Sequence, residues 1–598
     1  MNKTPEAPSQ EDMERLAAEI ADIAERSQRL VSDFVDRTQD PSAAVEAASD
    51  AMGIGQAFMD YASQLATNPV RLMEAQAALW SQYASLWQTT MQRLIGQEAA
   101  PVAEPAKGDR RFKDAEWSEN VVFDYIKQSY LLASRWMTEQ SEHTEGLDEH
   151  TAHKVGFYTR QFVDAMSPSN FVATNPQVLR ETVESRGENL VRGLQNMLND
   201  LERGHGDLRI SQTDMDAFEV GRNIAVTEGK VVYQNDLMQL LHYAPLTETQ
   251  FDKPLLIIPP WINKFYILDL KPENSFIRWA TSEGHSVYVI SWANPTEAQR
   301  HKDFSAYMLE GPLAALDAIK QDIGAEKVNA IGYCLGGTLL ASTLAYCTEK
   351  GIDTIASATF FTTLVDFEQA GELKVFVDEE QIRGIERKMK EKGYMDGADM
   401  ASTFNSLRSN DLIWSFVVSN YLLGKEPFPF DLLFWNSDST RLPEAMHSFY
   451  LRNMYQKNLL KEPGGITMDG VAIDLGRIKT PMYFLATKED HIAPATAVYQ
   501  GTKRFGGSVK YVLAASGHIA GVVNPPAGGK YSHWTNDKSP ASFDDWFAGA
   551  EEHPGSWWPH WQAWAKRKAG KQVPARVPGE NGLKALEDAP GDYVKVRS

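Results

Sequence analysis

Residues 329–342 read NAIGYCLGGTLLAS, and the place of the cysteine in that stretch decides the fold. Val328 to Ile331 is a short, mostly apolar run, as in a buried strand. Gly332 ends it, Cys334 follows, and Gly336 and Gly337 stand behind the cysteine. Thr338-Leu339-Leu340-Ala341-Ser342 then reads as the start of a helix. Gly332-x-Cys334-x-Gly336 is the pattern of a nucleophile elbow with cysteine in place of serine. Such a turn lifts the nucleophile above the sheet edge, and a side chain two residues before or after it would collide with neighbouring backbone. The helix N-terminus behind Cys334 points at the sulfur and favours thiolate over thiol. The backbone N–H of Leu335 faces the place where an oxyanion would form.

Outward from the elbow, short apolar runs alternate with helical stretches from about residue 210. They are KPLLIIPPW (253–261), HSVYVISW (285–292), KVNAIGYC (327–334), IASATFFTTLV (355–365), PMYFLAT (481–487) and VKYVLAAS (509–516). Near-continuous apolar strands separated by helices make a parallel sheet covered on both faces. Between the fourth and fifth runs lies an insertion of over a hundred residues, rich in aromatics, including DLIWSFVVSNYLLGKEPFPFDLLFWNSDS. So long an excursion is expected to form a lid or cap, at about 366–450. The expected class is α/β: an α/β-hydrolase fold with a cap insertion, preceded by a mainly helical N-terminal domain.

Ahead of residue 210 the texture is helical. Residues 11–36 carry Met13, Leu16, Ile20, Ile23, Leu30 and Phe34 at steps of three and four, with Ser27 filling the gap. Residues 69–96 repeat the spacing with Leu72, Trp80, Tyr83, Trp87, Met91 and Leu94. Ordinary helix packing is the expected use of both faces; a dimer seam is the alternative, with too few heptads for a coiled coil. GQEAAPVAEPAKGD (96–109) reads as a linker, and helical patterns resume from about 115 to 205. The expected organisation is a helical extension over 1–96, a linker and helical domain over 97–209, and a catalytic domain over 210–598.

Composition narrows the function classes. A formal net charge of −21 makes nucleic acid or an anionic membrane surface an unsuitable partner. The start, MNKTPEAPSQEDMERL, lacks the basic and apolar regions of a signal peptide. No run approaches the ~18 apolar residues of a transmembrane segment. Cys334 and Cys347, the two cysteines of the chain, make neither a disulfide framework nor a zinc site, which points to a reducing cytoplasm. With no metal-ligand cluster and no dinucleotide-binding glycine loop, no metal and no cofactor are expected.

A nucleophile of this type needs an acid and then a histidine further along the chain. Six histidines follow Cys334: 447, 491, 518, 533, 553 and 560. His518, in LAASGHIAG, lies just past a strand in a loop opened by Gly517, where the last triad member belongs. His447 falls in the cap, and His533, His553 and His560 lie beyond the sheet; surface or packing roles are expected for these. The acid should end the preceding strand, where PMYFLATKEDHIAP offers Glu489 and Asp490. The shorter Asp490 is the better choice for a loop bend with backbone donors, though spacing leaves both open. His491 beside it reads as a neighbour of the site. The second oxyanion donor should follow LLII. Pro259 and Pro260 have no N–H, which leaves Trp261 or a residue just after it; Ile262 is the choice.

From DRRFKDAEW (109–117) to the terminal APGDYVKVRS the chain resembles the class I polyhydroxyalkanoate synthases. The likeness is carried by PPWINKFYILDL (259–270), GYCLGGT (332–338), LRSNDLIWSFVVSNYL (407–422), FPFDLLFWNSDSTRLP (428–443), KEDHIAP (488–494) and SGHIAGVVNPP (516–526). It implies polymerisation of 3-hydroxyacyl-CoA, with Cys334, Asp490 and His518 as nucleophile, acid and histidine, which decides between Glu489 and Asp490. It also implies Trp435 beside the nucleophile, Arg408 on the substrate path, and the short-chain class from Tyr333-Cys334-Leu335. A homodimer, granule-coat partners and a cytoplasmic location at the polyester granule surface belong to the same expectation. Two segments depart from the family pattern: SWANPT (291–296), with Ala293 for a usual arginine, and LVDFEQAGEL (364–373). The competing readings are a cysteine thioesterase or polyester hydrolase of the same fold, and a non-catalytic granule-coat or scaffold protein.

Overall fold

The computed structural model describes residues 18–19, 21–30, 41–142 and 146–597. Of the helical face expected over 11–36, Met13, Leu16, Ile20 and Phe34 lie outside the described residues. The chain divides into two compact units. One comprises the chain up to Asp214 together with Phe404–Phe428, and the other comprises Met215–Thr403 with Pro429–Ser598.

The first unit is helical: α1 (Pro41–Thr67), α2 (Pro69–Leu94), α3 (Val121–Glu142), α4 (Glu149–Ala165) and α5 (Glu188–Arg203), with shorter helices between. Proline at the first position of α2, with the Asn68 side chain accepting from the Arg71 N–H, starts that helix. The buried face of α2 differs from the one its apolar residues suggest. Leu86 and Thr90 are buried, Tyr83 donates to the Ser129 carbonyl on α3, and Trp80 and Trp87 are 70% and 57% exposed. Packing of α3 along one flank selects the residues of that flank, whatever the hydrophobicity of the others. The stretch expected to be a linker is docked as well. The amides of Val102 and Ala103 both donate to the Gln128 side chain on α3, and Ala103 is buried with Phe112 and Trp117.

Phe404–Phe428, read from sequence as part of the cap, belongs to this helical unit. Its polar groups explain why. Tyr421 donates to Asp200, Asn189 donates to the Leu422 carbonyl, and Ser409 and Asn410 donate to Asp164. Gly193 of α5 is required for the fit, since a Cβ there would land on the Tyr421 carbonyl.

The second unit is built on an eleven-stranded sheet. Its strands in chain order are β1 (Gly229–Gln234), β2 (Met238–Tyr243), β3 (Leu255–Ile258), β4 (Val287–Trp292), β5 (Val328–Tyr333), β6 (Ile355–Phe361), β7 (Met482–Thr487), β8 (Val509–Ala514), β9 (Ser532–Thr535), β10 (Glu551–Pro554) and β11 (Glu587–Asp588). They lie in the order β10-β9-β8-β7-β6-β5-β3-β4-β2-β1-β11. The six strands legible in the sequence, β3 to β8, are the parallel centre. The others pair antiparallel at the two flanks. Separate apolar clusters cover the two faces, so β5 and β7 are buried along their whole length. This is the α/β-hydrolase architecture, preceded by the helical region. Among the described residues, no helix is long and apolar enough to cross a membrane.

Candidate active site

The elbow forms where β5 meets helix α6 (Leu335–Lys350). Cys334 has φ +52° and ψ −118°, a conformation that L-residues avoid and that the surrounding contacts impose. Its N–H donates to the Phe361 carbonyl at the end of β6 (2.9 Å), and its carbonyl accepts from Gly337 (2.9 Å) and Thr338 (3.2 Å). The glycines around it are steric necessities. A Cβ on Gly332 would strike the Gly336–Gly337 backbone, and one on Gly336 would strike the Ile258 and Pro259 carbonyls. The loop after β3 therefore runs directly against the elbow. Cys334 is half-buried, packed against the cluster that contains Tyr333, Phe361, Phe434 and Trp435.

Asp490 ends the turn after β7. One carboxylate oxygen accepts from the amides of Ile492 and Ala493, both at 2.9 Å. The other accepts from the Thr487 hydroxyl (3.2 Å) and faces His518 Nδ1 at 2.7 Å. Glu489, which spacing left open, is exposed, whereas Asp490 and His518 are both buried. His518 comes from the loop after β8. Its carbonyl accepts from the Tyr333 hydroxyl (3.0 Å), and its ring stacks on that of Tyr333. Sequence reasoning assigned Tyr333 only to a motif; its position beside the nucleophile was the available signal.

Burial opposes a charged imidazole at His518. The negative charges of Asp490 and Cys334, and hydrogen bonds to both, outweigh it and push the pKa up to about 10. The folded value therefore lies above the unfolded value of about 6.5. The stabilisation is complete below about pH 6.5 and is lost as pH rises through about 10. The stability advantage of the parent chain over His518→Gln should accordingly shrink between pH 7 and 10. Urea unfolding at a series of pH values measures it; a constant difference would mean that the ring carries no proton in the folded state.

The expected oxyanion donors come from α6 and from the loop after β3. Leu335 is the first residue of α6. Ile262 lies in the loop after β3, and that loop is tied to the 439–440 turn. Thr440 N–H donates to the Ile262 carbonyl (3.3 Å), Thr440 Oγ1 donates to the Trp261 carbonyl, and Asn263 bridges to Ser439. Because a trans peptide opposes its C=O and N–H, the Thr440 hydroxyl on Trp261 turns the Ile262 N–H the other way. Trp435, on α7 (Asp431–Ser437), is buried and donates to the Lys264 carbonyl at 2.7 Å. The His491 carbonyl packs against Gly371, within the segment that departs from the family pattern, at a positive φ where a Cβ would collide with it. Arg408 is exposed in the helical unit and ion-paired with Asp411 on its own turn.

A buried Ser–His–Asp group also lies beside the sheet, with His242 on β2, Ser286 just before β4 and Asp322 on the helix Ala314–Ile323. His242 Nε2 meets Ser286 Oγ at 3.2 Å, and its Nδ1 meets Asp322 at 3.3 Å. All three are buried and Ser286 sits on no elbow, so this group links β2 to β4 without access for a substrate. Of the other histidines, His447 is buried, and burial pulls its pKa down to about 4. His533, His553 and His560 cluster at the β9–β10 flank.

Comparison with known proteins adds the remaining evidence. Residues 108–280 match the family described as "Poly-beta-hydroxybutyrate polymerase (PhaC) N-terminus", and residues 253–525 match "alpha/beta hydrolase fold". The poly(3-hydroxyalkanoate) polymerase of Methylorubrum extorquens is 51% identical, over 99% of this chain and 99% of its own. The poly(3-hydroxyalkanoate) polymerase subunit PhaC of Rhizobium meliloti is 52% identical, over 89% and 87% of the two chains. Its counterpart in Cupriavidus necator is 44% identical over 89% of each. An α/β-hydrolase sheet that presents a cysteine elbow, and these identities over nearly the whole length, lead to one conclusion: the chain belongs to the poly(3-hydroxyalkanoate) polymerases, which are acyltransferases.

Proposed function

We propose that this chain polymerises (R)-3-hydroxyacyl-CoA of the short-chain class, such as 3-hydroxybutyryl-CoA, through an acyl-enzyme on Cys334. The observation that carries the reading is a cysteine at a positive-φ elbow, on a helix N-terminus, beside a buried His518–Asp490 pair. The Cys334 thiolate attacks the thioester carbonyl, with the N–H groups of Leu335 and Ile262 as donors to the oxyanion. The C–S bond to CoA breaks, and the departing thiolate takes the proton of the His518 imidazolium. A 3-hydroxyl group then attacks the enzyme thioester and gives its proton to His518; the oxygen ester forms and Cys334 leaves as thiolate. Asp490 holds the imidazole in place and balances its charge.

Cysteine suits these energetics. Exchange of one thioester for another is nearly thermoneutral, so the downhill step to an oxygen ester remains for polymerisation. A serine nucleophile would spend that drop on its own acylation. Trp435 and His491 are read as neighbours of the substrate path, with the cap excluding water, which competes with the hydroxyl. Assembly as a homodimer at the surface of cytoplasmic polyester granules, with granule-coat proteins as partners, is part of the same reading.

Incubation of the purified chain with (R)-3-hydroxybutyryl-CoA, following thiol release and turbidity together, tests it. Thiol release should rise in step with turbidity. Stoichiometric free 3-hydroxy acid without turbidity would make the chain a thioesterase and overturn the proposal.

A further inference from the structure

Lys264 sits in the PPWINKFYILDL stretch, two residues beyond Ile262, and its side chain is buried. Its ammonium group donates to the carbonyls of Val594 and Val596, each at 2.7 Å, and is ion-paired with the Asp438 carboxylate at 2.9 Å. Its backbone carbonyl accepts from the Trp435 indole. The second Asp438 oxygen accepts from the Tyr266 hydroxyl at 2.8 Å. Burial lowers the Lys264 pKa and the Asp438 charge works against that, so each partner depends on the other.

The placement is not that of a generic fold-stabilising lysine. Asp438 lies two residues before Thr440, whose hydroxyl holds the Trp261 carbonyl and so aims the Ile262 N–H. Asn294 ties the same parts from the other side, donating to the Val596 carbonyl (3.2 Å) and accepting from the Arg441 N–H (3.0 Å). The terminal residues thus reach the oxyanion loop through one buried cation, and the 438–441 turn through that cation and one amide. Removing the cation would leave the Val594 carbonyl buried without its donor and the Asp438 carboxylate buried without its counter-charge.

We propose that Lys264 is a positioning residue for acylation: clamped between the carboxy-terminal segment and Asp438, it fixes the 438–440 turn that orients the Ile262 N–H. The last residues of the chain are then part of the acylation machinery without touching substrate. This rests on the reading of Cys334 as the acylated residue and Ile262 as an oxyanion donor.

The test uses the full-length chain, the variants Lys264→Met and Thr440→Val, a truncation lacking 594–598, and the pairwise combinations. The readout is single-turnover acylation by labelled butyryl-CoA, which lacks the 3-hydroxyl and so cannot elongate, with the label mapped by peptide digestion. Acylation should slow roughly ten- to a hundredfold in each single variant, less than or equal to the loss of a whole oxyanion donor, while KM changes little. Combined variants should be no slower than the slower single one, because each cuts the same link. Acylation by Lys264→Met at the parent rate, multiplicative losses in the combinations, or a raised KM with unchanged rate would each overturn the proposal. Should Lys264→Met fail to fold, Thr440→Val and the truncation, alone and combined, carry the same test. Absence of label on Cys334 in the parent chain is a different outcome: it removes the acyl-enzyme reading before any variant is compared.

Discussion

Cys334→Ser is expected to leave a folded chain with polymer formation reduced by several orders of magnitude, whereas Cys347→Ser keeps most of the activity. Both cysteines lie within 13 residues of each other on or beside α6, so position in the sequence does not separate them. Their surroundings do. Cys334 is half-buried at the positive-φ junction, with His518 in hydrogen-bonding reach. Cys347 is buried in the body of the helix, where desolvation pushes its thiol up to about 11 and keeps it protonated at neutral pH. Serine at 334 keeps the shape of the turn but is a poorer nucleophile, and its acyl-enzyme would already be an oxygen ester. Loss of one member of a nucleophile–histidine–acid group typically costs several powers of ten in rate. Thiol release from acyl-CoA, turbidity, and circular dichroism of each variant decide the matter. Equal losses in two folded variants would rule out Cys334 as the single nucleophile.

What the sequence discloses follows from how each element is stabilised. Strands β3 to β8 are covered on both faces, so their residues must be apolar in nearly unbroken runs, and such runs are visible. The outermost strands, β10 and β11, are held by pairing rather than by a buried face. Glu551–Pro554 is EEHP and Glu587–Asp588 is ED, with no periodicity to read. The buried face of α2 is not legible because hydrophobicity marks which residues could be buried, while α3 determines which are. Phe404–Phe428 resembles cap in composition, but its attachment to the helical unit runs through Asn189, Asp200 and Asp164, which are ordinary polar residues until partnered.

The site shows the same division. The glycines of the elbow are legible because backbone contact forbids any other residue there. The preference for Asp490 over Glu489 has its physical basis in the two amides of Ile492 and Ala493, which a sequence does not orient. Lys264 was hidden by its type: a lysine in a loop reads as solvated, and only the carbonyls at 594 and 596 reveal it as buried. Ala293, noted as a departure from the family pattern, is followed by Asn294, which joins the carboxy-terminal segment to Arg441.

His518→Gln is expected to stop acylation of Cys334, and Asp490→Asn to permit slow acylation while stalling elongation. Glutamine in place of His518 removes the imidazolium that pairs with the thiolate and protonates the departing CoA, so neither half-reaction has its proton carrier. Asparagine at 490 is milder and more selective. Its oxygen can still accept from the amides of Ile492 and Ala493, but an NH2 group then confronts His518 Nδ1, where a carboxylate oxygen now lies at 2.7 Å. The imidazole is left without its counter-charge and favours the tautomer that carries its proton on Nε2. Attack by sulfur tolerates this, because a thiol is an effective nucleophile even when only a small fraction is ionised. Attack by a hydroxyl does not, since an alcohol must lose its proton as the new bond forms and depends on a base of full strength. The two variants should therefore separate when each is given labelled 3-hydroxybutyryl-CoA and quenched over time. Asp490→Asn should accumulate label on Cys334 with little polymer, and His518→Gln should carry almost none. Equal labelling of both would mean that Asp490 and His518 serve acylation as one unit, and that elongation makes no separate demand on the carboxylate.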